Sequence, residues 1–368
     1  MKKLLLVTLV LSFALLVGTV AAQDEGLPTF DDLEEGWNML EPGGDTLCSQ
    51  GTEYIFFARP ANPDKLMIFF DGGGACWFGM ICNVEGPMVT YQPFASPEGD
   101  NPELADGVFN LVNEENPFAD YSMVFVPYCT ADVHMGNSDT SYEVPGQDEE
   151  ITIHHNGNNN ATTVLDWVYE NFDAPEMIFV TGSSAGSIPS PFYGGLVAEH
   201  YPDAQIAVLG DGSGGYHVQA ATLLVNEAWG VLSVVPDWEE YEDYTDATLT
   251  FEDYYIASAT RFPDVTFATY NTAHDETQYN FLALLGEGGR LLPDQLDAAF
   301  TYITDEIDNF NYFIAGGELH TILALPEFYT YAVDGVRFVD WITAYAAGEE
   351  VENMVCTDCS VAETVESE

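Results

Sequence analysis

The stretch Gly182-Ser183-Ser184-Ala185-Gly186 sets a serine between two glycines, each two positions away. It follows the apolar run Met177-Ile178-Phe179-Val180, which reads as a buried strand, and precedes residues 193–200, which can close as a helix. A G-x-S-x-G stretch between strand and helix is the pattern of a nucleophile elbow. Its glycines permit a turn sharp enough to hold the central serine above a sheet edge. The chemistry this predicts is acyl transfer through a serine ester. The same five residues also suit a plain glycine–serine loop, so the choice rests on partners. A serine hydroxyl is a poor nucleophile and needs a general base in hydrogen-bond reach, with a third group to orient that base.

With an elbow of this kind the chain order is serine, then Asp or Glu, then histidine. Four of the seven histidines follow Ser184: His200, His217, His274 and His320. His200 falls at the far end of the elbow helix, His217 comes too soon to leave room for an acid on a later strand, and His274 has no later strand before it. His320 follows the last good strand and the pair Gly316-Gly317, whose freedom lets a loop bring the imidazole back over Ser184. The acid belongs just beyond an intervening strand. Asp275 fits, a short turn after an apolar run, and Asp211, at the end of the preceding strand, is its rival. Spacing favours Asp275. The developing oxyanion needs backbone donors: the N–H of Ala185, after the nucleophile, and Gly73 or Gly74 of Asp71-Gly72-Gly73-Gly74-Ala75-Cys76. That run lacks the Gly-Lys-Ser/Thr of a phosphate loop.

These residues need a sheet edge to stand on. Tyr54-Ile55-Phe56-Phe57-Ala58, Leu66-Met67-Ile68-Phe69-Phe70, residues 121–127, the elbow strand, and residues 205–209, 265–270 and 312–315 read as strands. Residues 161–172, with Val164, Leu165, Val168 and Phe172 on one face, read as an amphipathic helix. Such alternation predicts an α/β fold with a mostly parallel sheet flanked by helices. Residues 218–260 break the rhythm. They are helix-prone and aromatic, and an insertion after a strand overlies the carboxyl edge, so a helical cap over the acyl site is expected, with a packing helix pair as the plainer reading.

Residues 1–22 read as an export signal: Lys2-Lys3, an apolar stretch over 4–17, and Val20-Ala21-Ala22 before Gln23. No later stretch is apolar enough to span a membrane. Residues 23–359 are expected to form one catalytic domain, and 360–368 a disordered acidic tail. Of the seven basic side chains, Lys2 and Lys3 fall in the signal; Arg59, Lys65, Arg261, Arg290 and Arg337 face 61 carboxylates, for a formal net charge of −54. So acidic a surface repels nucleic acid and anionic membranes, and holds a polyanionic substrate poorly. The six cysteines, an even count in an exported chain, predict disulfides. Cys76 with Cys82 is the easiest local pair, and Cys48–Cys129 with Cys356–Cys359 would complete the set. Cys356-Thr357-Asp358-Cys359 has no second pair at zinc-site spacing.

Taken together these residues resemble the pectin acetylesterase family, which includes the Notum carboxylesterases. The likeness rests on the run from Phe69 through Asp71-Gly72-Gly73-Gly74 to Trp77, on Pro127-Tyr128-Cys129, on His155-Asn156-Gly157, on Thr181 with the elbow, and on Asn271-Thr272-Ala273-His274-Asp275. It implies an α/β-hydrolase-like fold and an esterase without metal or cofactor. It implies a triad of Ser184, Asp275 and His320, with oxyanion donors at Gly73, Gly74 and Ala185. Here Ala75 precedes Cys76 and Ser187 follows the elbow, where the family often has tryptophan and glycine. The expected activity is hydrolysis of O-acyl esters by an exported carboxylesterase, with polysaccharide O-acetyl groups one substrate. A lipid-type carboxylesterase or thioesterase with a longer acyl pocket, and a non-catalytic binder on a hydrolase scaffold, are the alternatives.

Overall fold

A computed structural model describes residues 26–365; the expected export signal lies outside the described residues. Its centre is a nine-stranded sheet. The strands are β1 (Asn38–Leu40), β2 (Phe56–Arg59), β3 (Asn62–Phe70), β4 (Tyr121–Val126), β5 (Met177–Ser183), β6 (Gln205–Asp211), β7 (Thr266–Thr272), β8 (Phe310–Ala315) and β9 (Met354–Val355). Their spatial order is β1-β2-β4-β3-β5-β6-β7-β8-β9. The junctions β1/β2 and β2/β4 are antiparallel and all others are parallel. The carboxyl ends of β3, β5, β6, β7 and β8 therefore share one edge, where ligands bind in open sheets of this kind.

Besides a four-residue turn of helix at Gly79–Cys82, the helices are α1 (Gly157–Asn171), α2 (Ser190–His200), α3 (Gln219–Trp229), α4 (Glu252–Arg261), α5 (Glu276–Leu284), α6 (Leu292–Thr304) and α7 (Phe338–Ala346). The central strands are apolar on both faces, as a parallel sheet covered on both sides requires. Leu66, Ile68, Phe70, Ile178 and Val180 point to one core, which takes in Val164, Leu165 and Val168 of α1, Phe192 of α2 and Phe300 of α6. Met67, Phe69, Phe179 and Leu209 point to the other, closed by Phe338, Trp341 and Tyr345 of α7. This is an α/β, mostly parallel architecture. No helix of the described residues is long and apolar enough to cross a membrane.

Three boundaries differ from the sequence reading. Helix α1 starts at Gly157 and not at 161. Its first turn is asparagine-rich, which is poor helix material, but tertiary bonds hold it: Gly157 N donates to Asp132 Oδ2 at 2.8 Å, and the Asn160 amide pairs with the Leu47 backbone. The stretch 218–260 divides, with α3 beside the serine's pocket and Tyr254 of α4 packed on Phe192 of α2. The tail expected to be disordered beyond 359 instead turns back. Glu363–Thr364 pairs antiparallel with Tyr331–Ala332, and Val365 N donates to Thr330 O at 2.8 Å. A free strand edge supplies ladder bonds that need no apolar side chains. Residues 366–368 lie outside the described residues. All six cysteines are paired as Cys48–Cys129, Cys76–Cys82 and Cys356–Cys359.

Candidate active site

Strand β5 ends at Ser183, and Ser184 takes a left-handed backbone with φ of 53° before a single 3₁₀ turn, Ser184–Gly186. A non-glycine residue there is strained, a recurrent mark of functional turns. The elbow glycines are dictated by proximity. A Cβ at Gly182 would stand 2.6 Å from the Phe70 carbonyl oxygen, and one at Gly186 would collide with that same oxygen. Together they let the elbow sit against the end of β3.

His320 lies in the irregular segment after β8, and its Nε2 is 2.8 Å from Ser184 Oγ. Its Nδ1 is 2.6 Å from Asp275 Oδ2. Asp275, 1% exposed, caps α5: its Oδ1 accepts from Thr277 N at 2.8 Å and Gln278 N at 3.0 Å. One carboxylate oxygen thus serves the helix and the other the imidazole. With Nδ1–H donating to Asp275, Nε2 is left as the acceptor for the serine proton. The segment carrying His320 is tied at several points. Thr272 Oγ1 donates to Leu319 O at 2.6 Å, Gly317 N to Cys359 O at 3.0 Å, and His274 N to Gly317 O at 3.0 Å.

Asp211, the rival acid, does not meet His320 Nδ1. It is the last residue of β6, wholly buried, and accepts from Ser183 Oγ, Ile322 N and Leu323 N. Burial pushes its carboxyl up to about 6.

The glycine run follows β3. Gly74 pairs with Tyr91 in an isolated antiparallel bridge whose two bonds, Gln92 N to Gly73 O at 2.8 Å and Ala75 N to Thr90 O at 3.3 Å, flank it. The Gly74 N–H is thereby left out of the bridge. Its φ of 80° suits glycine, and a Cβ would collide with Thr90 O. Among the described residues no backbone acceptor engages the N–H groups of Gly73, Gly74 or Ala185. Gly72 lies so close to the elbow that a Cβ would come within 2.8 Å of the Ser184 Cβ. The Cys76–Cys82 bridge and a 2.8 Å bond from Trp229 Nε1 to Cys76 O fix the far side of the run.

Ser184 stands where two cavities meet. One is apolar, about 40 Å³, with Trp77, Ile188, Tyr216, Trp229, Phe251 and Leu285 in its wall beside Gly74 and Ala185. The other is an open cleft of about 490 Å³, whose polar lining includes Asp71, Thr90, Asp100, Asn101, Thr277 and His320. No lysine or arginine lines it. All five among the described residues are engaged elsewhere, Arg59 with backbone carbonyls and Lys65, Arg261, Arg290 and Arg337 with carboxylates.

Sequence reasoning passed over two residues here. Asp71 begins the glycine run, yet it lines the cleft, and its carboxyl is pushed up to about 7 by burial and by the Asp100 charge, against the bond from Gly72 N. Its place between a strand end and a glycine run was the available signal. His134 is 1% exposed, has φ of 59°, and sets Nε2 2.8 Å from the Asp71 carbonyl oxygen. Burial pushes it down to about 4, so it is neutral and donates to that oxygen. Nothing in the sequence marks it, because the contact spans 63 positions.

Among curated proteins, the chain is 26% identical over 147 residues to the palmitoleoyl-protein carboxylesterase NOTUM of Schmidtea mediterranea, covering 38% of this chain and 26% of that protein. It is 26% identical over 141 residues to palmitoleoyl-protein carboxylesterase notum2 of Xenopus laevis, covering 38% of this chain and 27% of the relative. With notum1 of Xenopus laevis the identity is 26% over 176 residues, covering 45% and 34%. These matches span only about a quarter to a third of the relatives' length. The pectinacetylesterase family model matches residues 40–246, a span that holds the glycine run and Ser184 but stops short of Asp275 and His320. Over more than half of its length, then, this chain is a member of the pectinacetylesterase family.

Proposed function

We propose that this protein is a serine carboxylesterase that hydrolyses O-acyl esters. The observation that carries the reading is the unbroken relay from Ser184 Oγ through both nitrogens of His320 to a buried carboxylate on Asp275. His320 Nε2 takes the serine proton as Oγ attacks the ester carbonyl. Asp275 keeps the imidazole in the required tautomer and stabilises its charged form. The N–H groups of Gly74 and Ala185, with Gly73 beside them, receive the oxyanion. His320 then protonates the departing alcohol. Water, deprotonated by the same imidazole, attacks the acyl-serine and frees the acid and Ser184.

The two cavities suggest how the substrate divides. The acyl group enters the apolar pocket, where α3 and Phe251 act as a cap, and about 40 Å³ suits a short chain such as acetyl. A longer acyl chain is the second reading. It is favoured by a further cavity that shares Tyr216, Val225, Phe251 and Leu285 with the first, and by the relatives named as palmitoleoyl-protein carboxylesterases. The alcohol half occupies the open cleft, whose carboxylates and lack of cations suit an uncharged, hydroxyl-bearing alcohol better than a uronate. The signal-like N-terminus and three disulfides support export.

The test is hydrolysis of 4-nitrophenyl acetate by the parent and by Ser184→Ala. The parent should turn it over, and the folded variant should not. Undiminished activity in the variant refutes the reading. A series from acetate to octanoate distinguishes the short-acyl from the long-acyl pocket.

A further inference from the structure

We propose that Asp211 is a positioning residue that sets the spacing between the nucleophile's turn and the base's loop. This rests on the triad reading above. His320 sits in a segment, residues 316–325, that is neither helix nor strand around the imidazole. Its placement over Ser184 therefore depends on side tethers. Four have been described: Gly317 to Cys359 and to His274, Leu319 to Thr272, and the imidazole to Asp275. None of these touches the elbow.

Asp211 does. Its Oδ2 accepts from Ile322 N at 2.9 Å, Leu323 N at 2.9 Å and Ser183 Oγ at 3.1 Å, and its Oδ1 accepts from Ile322 N at 3.1 Å. A single carboxylate oxygen thus joins the residue before the nucleophile to residues two and three positions after the base. The bridge has a rigid footing, because Asp211 and Ser183 are register partners on adjacent parallel strands. Structural convenience does not account for the choice of residue. A wholly buried carboxylate is costly to desolvate, and apolar residues commonly serve stability as well or better. What an apolar residue lacks is the ability to gather three donors at one point.

Two variants test this, each assayed with 4-nitrophenyl acetate alongside Ser184→Ala. Asp211→Ala removes every bond to the loop and the elbow. It should lower kcat about 100-fold with KM within about threefold, the scale expected when a catalytic pair is displaced by roughly an ångström. Asp211→Asn keeps an oxygen for the donors but removes the charge. Its kcat should fall less, about tenfold. The rate of fluorophosphonate labelling of Ser184 should fall in step with kcat in both variants, more in Asp211→Ala than in Asp211→Asn. A purely structural residue would lower Tm without changing that labelling rate in the folded protein. Folded Asp211→Ala with kcat within threefold of the parent, or altered only in KM, overturns the proposal. If that variant does not fold, Asp211→Asn decides: parental kcat with a parental labelling rate overturns it. Active Ser184→Ala would indict the triad itself, whereas inactive Ser184→Ala beside fully active Asp211 variants indicts only this inference.

Discussion

Asp275→Asn separates the two jobs of one carboxylate. In the parent, Oδ2 meets His320 Nδ1 at 2.6 Å while Oδ1 takes Thr277 N and Gln278 N at 2.8 and 3.0 Å. An asparagine has one oxygen to divide between these roles. If the oxygen stays at the helix end, the amide NH₂ faces Nδ1. The imidazole must then carry its proton on Nε2 and point it at Ser184, where it cannot act as base. That arrangement alone costs about 10⁴-fold in kcat, or about 5.5 kcal/mol. If the amide flips, the tautomer is restored but two backbone donors lose their acceptor, at about 1 kcal/mol each. A form about 2 kcal/mol uphill is populated to roughly 3%, so the flip caps the tautomer part of the loss at about 30-fold. The missing charge on the imidazolium deepens it further. The expected loss in kcat therefore lies between about 10² and 10⁴, while Tm falls by only a few degrees because the helix keeps its cap in the favoured rotamer. Steady-state hydrolysis of 4-nitrophenyl acetate, the rate of fluorophosphonate labelling and a thermal melt measure all three. A loss under tenfold in a folded variant would refute the role given to Asp275.

Three further outcomes follow from the same geometry. Glu252 is 4% exposed, its Oε2 has no hydrogen-bond partner among the described residues, and burial pushes it up to about 8. Because the folded pKa is raised, its contribution is complete below the unfolded value near 4.3 and is lost as pH rises through about 8; Glu252→Gln should raise Tm at pH 9 and leave it nearly unchanged at pH 5, and an identical pH slope in both proteins would refute the assignment. With matched acetates of a neutral sugar and its uronate, kcat/KM should favour the neutral ester by about tenfold at low salt and less at high salt, and a preference for the uronate would sink the charge argument. Replacing Cys76 and Cys82 by serine should free the glycine run and lower kcat more than KM, whereas unaltered kcat would show that the bridge does not brace the donors.

The positions of the strands were readable because buried parallel strands are continuous apolar runs, and five of them end within a few residues of the chemistry. Motif and order led to the expectation that Ser184 and His320 meet, and their side chains stand 2.8 Å apart. The choice between Asp275 and Asp211 was not fixed by spacing, since both follow strands at the same sheet edge. What separates them is which oxygen the imidazole meets and which are taken by the Ile322 and Leu323 amides, a matter of loop path. The start of α1 was misread because its first turn is held by Asp132 and by the Leu47 backbone, partners far along the chain that outweigh weak local propensity. The tail failed for a related reason. Its composition predicts no core, but strand pairing needs only a free edge, and composition is silent on where an edge lies.

The bond from Gly317 N to Cys359 O has a consequence for how the protein comes into being. The anchor for the base's segment is made 39 residues after the base itself, and Cys356 N, bonded to Ile314 O at 2.9 Å, arrives equally late. A nascent chain that has just emerged past His320 holds the serine, the acid and the imidazole, yet lacks the strap that settles them into one edge. These two bonds can thus form only once translation has passed Cys359. A truncation chosen to trim an acidic terminus would, if it cut before that point, return the protein to this unfinished state.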